Sequence, residues 1–500
     1  MKFTNFRRGR VFLAAFCFSA FGVHLACAQT PAPIPSTTQT PQWGKLLQKA
    51  GLQPNSFAAI VMPAHQGEAI LAINAQALMA PASTMKLLTS FIALDSLGPQ
   101  FKWKTQFLSE APIQDGKLQT NLYLRGGADP NLTWDRLSLM LRNLRQQGLR
   151  EIEGDIVLDR SYFQPSRPDL TETLIDENTD AYYNLIPDAL LINGNLTAID
   201  IDTTSGKAVA QLQTPLDQVQ LQSQLKLNDK NCTDWKQGLG PIQISNLSDG
   251  KLKLNLVGSF PRQCQITQYL NILDRNLYID SLIRALWREL GGQWQGKVID
   301  GITPANAKIL HERSAESLAD TLRIVNKYSD NSMARIVFSS LGAEANTEDK
   351  TLTTNKLAQA KVHRWLVEHA IDDTGLSVEN GSGLSRSDRI SAYQLAQILR
   401  LASNHVWYPE FAASLPIVGI DGTMRKRLLG STVAGRARIK TGYLKNAIAV
   451  AGYVRDQHEQ EWIVVAFINQ TELDALKGKA LLDLLLEWVA TGQTTMQTSP

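Results

Sequence analysis

Pro81-Ala82-Ser83-Thr84-Met85-Lys86-Leu87-Leu88-Thr89-Ser90-Phe91-Ile92-Ala93-Leu94 is the stretch on which the reading of this 500-residue chain turns. Met85, Leu88, Phe91 and Ile92 recur at helical spacing, which predicts a helix from about Ser83 to Leu94. Residues three apart on a helix share a face, so the Lys86 amine reaches the Ser83 hydroxyl one turn earlier. A serine beside a basic amine is an activated nucleophile. The same Ser-x-x-Lys spacing recurs at Ser223/Lys226 and Ser248/Lys251, and about two such matches are expected by chance in a chain of this size. Local pattern separates the three. Ser223 lies in the alternating run Val219, Leu221, Ser223, Leu225, Leu227. On a strand, residues three apart point to opposite faces, so Ser223 and Lys226 do not meet. Ser248-Asp249-Gly250-Lys251 reads as a turn. Only Ser83 opens a helix.

The flanking segments set the fold class. Trp43, Leu46 and Leu47 begin a helical pattern, and Phe57–Met62 and Glu68–Ile73 read as two strands. Three more strands are predicted at Ala437–Thr441, Ala447–Val454 and Trp462–Ile468, followed by a closing helix from about Glu472 to Val489. From about 305 to 405 helical periodicity dominates, as in Leu318, Leu322, Val325 and in Leu395, Ile398, Leu401. Between 104 and 300 short alternating runs prevail, interrupted by one helix near 133–147. The simplest assembly is an α/β fold. An antiparallel sheet built from both ends of the chain is covered by the first and last helices. One domain, residues 42–103 and 301–500, is thus split by a β-rich insertion at 104–300.

Two further motifs occur once each: Ser329-Asp330-Asn331 between two helical patterns, and Lys440-Thr441-Gly442 at the end of a strand. Each has a chance expectation of about 0.1 in a chain this long. Ser-x-x-Lys, Ser-Asp-Asn and Lys-Thr-Gly, in this order, are the motif set of class A β-lactamases and penicillin-binding proteins. Beyond them, Gly126-Gly127-Ala128-Asp129-Pro130, Asn380-Gly381-Ser382-Gly383-Leu384-Ser385-Arg386 and Asp421-Gly422-Thr423-Met424-Arg425 carry a closer likeness. Over about residues 42–490 the chain resembles the D-alanyl-D-alanine carboxypeptidase/endopeptidases, the low-molecular-mass class C penicillin-binding proteins. Asn380, where an Asp is usual, and Tyr443, where a small residue is common, depart from that pattern.

The resemblance implies a β-lactamase/transpeptidase-like sheet flanked by helices. It also implies a serine peptidase that acts on peptidoglycan stem peptides, is acylated by penicillins and needs no cofactor. Ser83 is then the nucleophile and Lys86 the base, its pKa depressed by a second cation, Lys440. Ser329 relays a proton to the leaving amine, and Asn331 holds the substrate amide. Thr441, with Lys440, holds the terminal carboxylate, and Gly442 and Tyr443 line the slot. The backbone N–H groups of Ser83 and Tyr443 form the oxyanion hole. Asp330 is expected to face inward and hold its loop. Asp159, in Val157-Leu158-Asp159-Arg160-Ser161-Tyr162-Phe163, matches a segment that the family places beside the active site, where a carboxylate pairs with the free amine of the substrate's diamino acid. The competing reading is a cap on the turn after a strand.

Composition bounds the alternatives. Hydrophobic residues make up 44%, charged residues 19%, and the formal net charge is +3. That is a globular chain without the basic excess of a nucleic-acid binder. Lys2, Arg7, Arg8 and Arg10, the apolar run Val11–Leu25 and Ala26-Cys27-Ala28 read as a signal peptide over 1–28 that is cleaved after Ala28, which implies export to the periplasm. A Pro/Thr linker follows over 29–41. Cleavage removes Cys17 and Cys27, so Cys232 and Cys264 are predicted to form a disulfide in an oxidising compartment. No His-Glu-x-x-His pattern is present, and His363 and His369 fit a solvated helix face, so no metal is implied. A β-lactamase is the alternative enzyme. It needs a deacylating glutamate after Ser-Asp-Asn, and Glu368 is the nearest candidate. A non-catalytic cell-wall scaffold would not need the full set of six reactive and polar side chains.

Overall fold

The computed structural model describes residues 40–247, 251–345 and 351–492. The proposed signal peptide, most of the linker, Cys17, Cys27 and Ser248 lie outside these residues. The described residues begin with α1 (Thr40–Lys49), the strand Phe57–Pro63 and the strand Leu71–Ile73. The second strand is shorter than its sequence pattern, because residues 64–70 form bends and irregular backbone. A single 3-10 turn, Ala82–Thr84, then leads into α2 (Met85–Leu97).

Strands from the two ends of the chain form one five-stranded antiparallel sheet, in the order Leu71–Ile73, Phe57–Pro63, Glu461–Asn469, Ala447–Arg455, Ala437–Leu444. The interior strand Ala447–Arg455 is buried in every residue but its last. A strand covered on both faces reads as a continuous apolar run instead of an alternating one, and Ala-Ile-Ala-Val-Ala-Gly-Tyr-Val is such a run. One face packs on α1 and on α10 (Ala475–Ala490), where Trp43 lies between Phe57 and Trp488. The other face carries the larger core, built around α2. Leu87, Leu88, Phe91 and Ile92 there have no exposed surface. Truncating one such leucine to alanine costs about 2–5 kcal/mol.

The middle of the chain starts with strand Lys104–Ser109, followed by Leu122–Gly126, α3 (Trp134–Gln146) and Ile156–Asp159. These strands join Val298–Asp300 and Lys308–Ser314 in a second five-stranded sheet, in which Val298–Asp300, Ile156–Asp159 and Leu122–Gly126 run parallel. The expectation of one helix in this region is corrected. A 15-residue helix, α4 (Arg275–Glu289), packs with α3 on the sheet and shares one core with it. Its signal is legible: Asp274 caps it by accepting from Asn276 and Leu277 N–H, and Tyr278, Ile279, Leu282, Ile283 and Leu286 keep helical period. The first and last strands of the segment are neighbours, with Lys104 opposite Ser314. The Ala315 N–H then donates to the Trp103 carbonyl at 2.8 Å.

Five helices follow: α5 (Leu318–Lys327), α6 (Asn331–Ala343), α7 (Thr354–Glu368), α8 (Ala392–Ser403) and α9 (Tyr408–Ser414). Ser391 and Gln394 form a reciprocal capping box at the start of α8.

A separate small cluster holds Cys264, Phe260, Ile199 and Ile201. Cys232 and Cys264 are bonded, with their Cα atoms 5.3 Å apart and a sequence separation of 32. Iodoacetamide added to unreduced, denatured protein should therefore label neither residue, as read by peptide mapping. By loop-closure entropy, replacing both with alanine should cost up to about 4 kcal/mol in this subregion, while Ser83 still reacts with a fluorescent penicillin. Full alkylation at both cysteines would refute the bridge.

Candidate active site

The site forms where the start of α2, the start of α6, the free edge of the first sheet and the loop 379–388 meet. The 3-10 turn places Ser83 one turn ahead of Lys86, and Thr84 Oγ1 pins the turn by donating to the Pro81 carbonyl at 2.6 Å. Lys86 Nζ lies 3.1 Å from Ser83 Oγ, 2.7 Å from Asn331 Oδ1 and 2.6 Å from the Ser382 carbonyl. The last two oxygens only accept, so they take two N–H bonds. That leaves the third direction of Nζ for Ser83. With Lys86 neutral, this direction is a lone pair facing the Ser83 hydroxyl.

Both lysines of the motif set have no exposed surface. Burial pulls Lys86 down to about 7, against the opposing pull of the Asp330 and Asp388 carboxylates. Desolvation is the largest cause of that depression. Lys440 is likewise held well below the ordinary lysine range, by burial first and then by the Lys86 charge. Lys440 Nζ donates to Ser329 Oγ and to the Thr441 carbonyl, both at 2.8 Å.

Ser329 has φ 61° and Ala82, next to the nucleophile, has φ 47°. Both are left-handed backbones on residues that carry a Cβ, a strain that persists only where surrounding contacts enforce it. At Ser329 the enforcement comes from Asp330. Its Oδ1 caps α6 by accepting from Met333 N–H at 2.8 Å, and its Oδ2 accepts from the Tyr182 hydroxyl at 2.9 Å. Asp330 thus faces inward and holds the loop, and burial raises its carboxyl pKa. Tyr182 belongs to the middle segment and was not singled out in the sequence.

Lys440, Thr441, Gly442 and Tyr443 lie on the edge strand Ala437–Leu444. The Ala437 carbonyl accepts from Val418 N–H, and Ile439 N–H donates to the Pro416 carbonyl, both away from the neighbouring strand. Antiparallel alternation then turns the N–H and C=O of Thr441 and Tyr443 to the same free edge. Gly442 has no side chain to obstruct it: a Cβ there would stand 3.0 Å from Ser83 N and 2.8 Å from the Pro81 carbonyl. The edge strand thus runs closely against the turn that carries Ser83. Thr441 Oγ1 donates to Thr423 Oγ1 at 2.9 Å, which brings the Asp421-Gly422-Thr423 segment to the same rim.

Asn331 is turned toward Lys86, whose amine it meets through Oδ1 at 2.7 Å, and its amide nitrogen reaches the Tyr183 carbonyl at 3.5 Å. Asp159 is 1% exposed. Its two oxygens accept from Ser161 N–H at 3.0 Å and Thr303 N–H at 2.9 Å. Burial alone would raise its carboxyl pKa, but the bonds from Ser161 and Thr303 hold it below the usual range. The carboxylate is spent on the turn after its strand, the competing reading of that residue. Elsewhere, Ser223 ends one strand and Lys226 begins another. His363 pairs with Asp373 at 2.7 Å. Glu368, the glutamate considered for a lactamase, is exposed at the last position of α7.

A D-alanyl-D-alanine carboxypeptidase DacB of Haemophilus influenzae is 27% identical over 420 residues, covering 83% of this chain and 85% of that protein. A D-alanyl-D-alanine carboxypeptidase of Actinomadura sp. (strain R39) is 26% identical over 424 residues, covering 82% and 77%. The crystal structure of penicillin binding protein 4 (dacB) from Haemophilus influenzae superposes with a TM-score of 0.72 at 24% identity, over 90% of this chain and 98% of that one, which shows a common fold. The profile of one family matches nearly the whole described chain, from residue 41 to residue 491: the protein belongs to the D-Ala-D-Ala carboxypeptidase 3 (S13) family.

Proposed function

We propose that the protein is an exported serine D-Ala-D-Ala carboxypeptidase, acting on peptidoglycan stem peptides and acylated by penicillins. The observation that carries this reading is the buried Lys86 amine, poised near neutrality 3.1 Å from Ser83 Oγ. Neutral Lys86 takes the Ser83 proton as Oγ bonds to the carbonyl carbon of the penultimate D-alanine. The carbonyl oxygen becomes an oxyanion held by Ser83 and Tyr443 N–H. Ser329, bonded to Lys440, passes a proton to the terminal D-alanine nitrogen as the C–N bond breaks. D-Alanine leaves and an ester on Ser83 remains. Water then cleaves that ester, giving the shortened peptide acid and regenerating Ser83. If the leaving amine belongs to a cross-linked neighbouring peptide, the same steps make the enzyme a DD-endopeptidase. A β-lactam presents its amide to the same serine, and its leaving nitrogen stays tethered to the acyl group. The basic start and apolar run of residues 1–28 support export to the periplasm, where this substrate lies.

Ser83→Ala should abolish labelling by a fluorescent penicillin and release of D-alanine from muropeptides, read by mass spectrometry, with an unchanged melting curve. Labelling that survives would overturn the assignment. The pH dependence follows from Lys86. Below about pH 7 its amine binds a proton and loses the lone pair that accepts from Ser83. The second-order rate of penicillin acylation should therefore fall by about tenfold per pH unit on the acid side. A rate independent of pH between 5 and 7 would rule out Lys86 as the base.

A further inference from the structure

The loop Glu379–Asp388 touches the nucleophile's helix at three places. Thr89 Oγ1 donates to the Gly381 carbonyl at 2.7 Å, and Lys86 Nζ donates to the Ser382 carbonyl at 2.6 Å. A Cβ on Gly383, whose φ is +75°, would stand 1.9 Å from the Ala82 carbonyl oxygen. The loop is closed at its neck by Asp388. Its Oδ1 accepts from Glu379 N–H at 2.8 Å, next to the paired backbones of Ser377 and Arg389. Asp388 has no exposed surface, and its Oδ2 has no hydrogen-bond partner among the described residues. A buried carboxylate with a free oxygen is costly, and nothing in the acylation chemistry above uses it.

We infer that Asp388 is a positioning residue for Lys86. It closes the loop whose Ser382 carbonyl orients the amine, and its buried carboxylate favours the protonated amine, opposing the effect of burial. The inference rests on the reading of Lys86 as the base. The electrostatic surroundings agree with it. Burial, reinforced by Glu379, raises the Asp388 carboxyl to about 7 against its bond from Glu379 N–H and the pull of Lys86 and Arg389. Arg335 of α6 also faces Asp388. Around the Lys86 amine the other charged groups are Asp330 at the start of α6 and Lys440 on the edge strand. Asp388 and Lys86 thus change charge in the same pH range, and each in its ionised form favours the ionised form of the other. Removing the carboxylate lets Lys86 release its proton at lower pH.

The test is Asp388→Asn, whose carbonyl still accepts from Glu379 N–H. Fluorescent-penicillin acylation is followed from pH 5 to 9 in parent and variant. The midpoint of the acid limb should move down by about half a pH unit or more. A midpoint that stays in place, even with a slower rate, makes the residue a scaffold only and overturns the inference, as does a midpoint that moves up. If the asparagine variant fails to melt cooperatively, Asp388→Ser, smaller and still an acceptor, must show the same downward shift. A parent profile with no acid limb instead refutes Lys86 as the base, so the two failures are told apart.

Discussion

The desolvation of two lysine amines in one cluster is the constraint to which the rest of the fold answers. An ammonium stripped of water is costly, and the protein relieves the cost by surrounding Lys86 with oxygens and letting its proton go. Each oxygen comes from a different part of the chain: Ser83 from the turn before α2, Asn331 from α6 and Ser382 from a loop some 300 residues on. The amine therefore acts as a checkpoint for tertiary assembly. It is enclosed and activated only when three distant segments have arrived together.

The middle segment takes part in that assembly. Asp188, fully buried, is paired with Arg160 at 3.1 Å and with Arg275 at 2.7 Å, and Arg335 of α6 donates to the Leu185 carbonyl at 2.9 Å. These bonds clamp residues 185–188 between α4, the strand end at Arg160 and α6, and so deliver Tyr182 to Asp330. Breaking one partner of a buried charge group of this kind costs about 3–5 kcal/mol, whereas the intact group adds little net stability. Its value is geometric.

The catalytic side chains were legible because their chemistry is local in sequence. Ser83 and Lys86 need only a helical turn, and Lys-Thr-Gly needs only a strand. The pairing of both chain ends in one sheet was equally legible, because the strands at 57–63, 447–455 and 461–469 are apolar but for charged or polar residues at their ends. Helix α4 was missed although its cap and period were present, since its neighbours read as strands. What could not be read was any contact made through a backbone carbonyl or across the segment boundary. Ser382 acts through its main chain, which any residue possesses, and the bond from Tyr182 to Asp330 spans 148 residues. Asp159 shows the opposite failure. A carboxylate in a suggestive motif was assigned to the substrate, and two backbone N–H groups in its own neighbourhood had already claimed it.

The strands at 104–109 and 308–314 lie side by side, and the residues just outside them, Trp103 and Ala315, are joined by a hydrogen bond. Some two hundred residues thus leave and rejoin the host through a doorway one peptide unit wide. In evolutionary terms such a passage lets the chain between the two strands lengthen or shorten at its far reaches while the two flanks stay joined. The hold of Tyr182 on Asp330 limits that freedom. A chain shortened there would lose the apolar contacts that Phe163, Leu185, Ala189 and Leu191 make in the core around α2, and would also have to find another hydroxyl to steady the Ser-Asp-Asn turn.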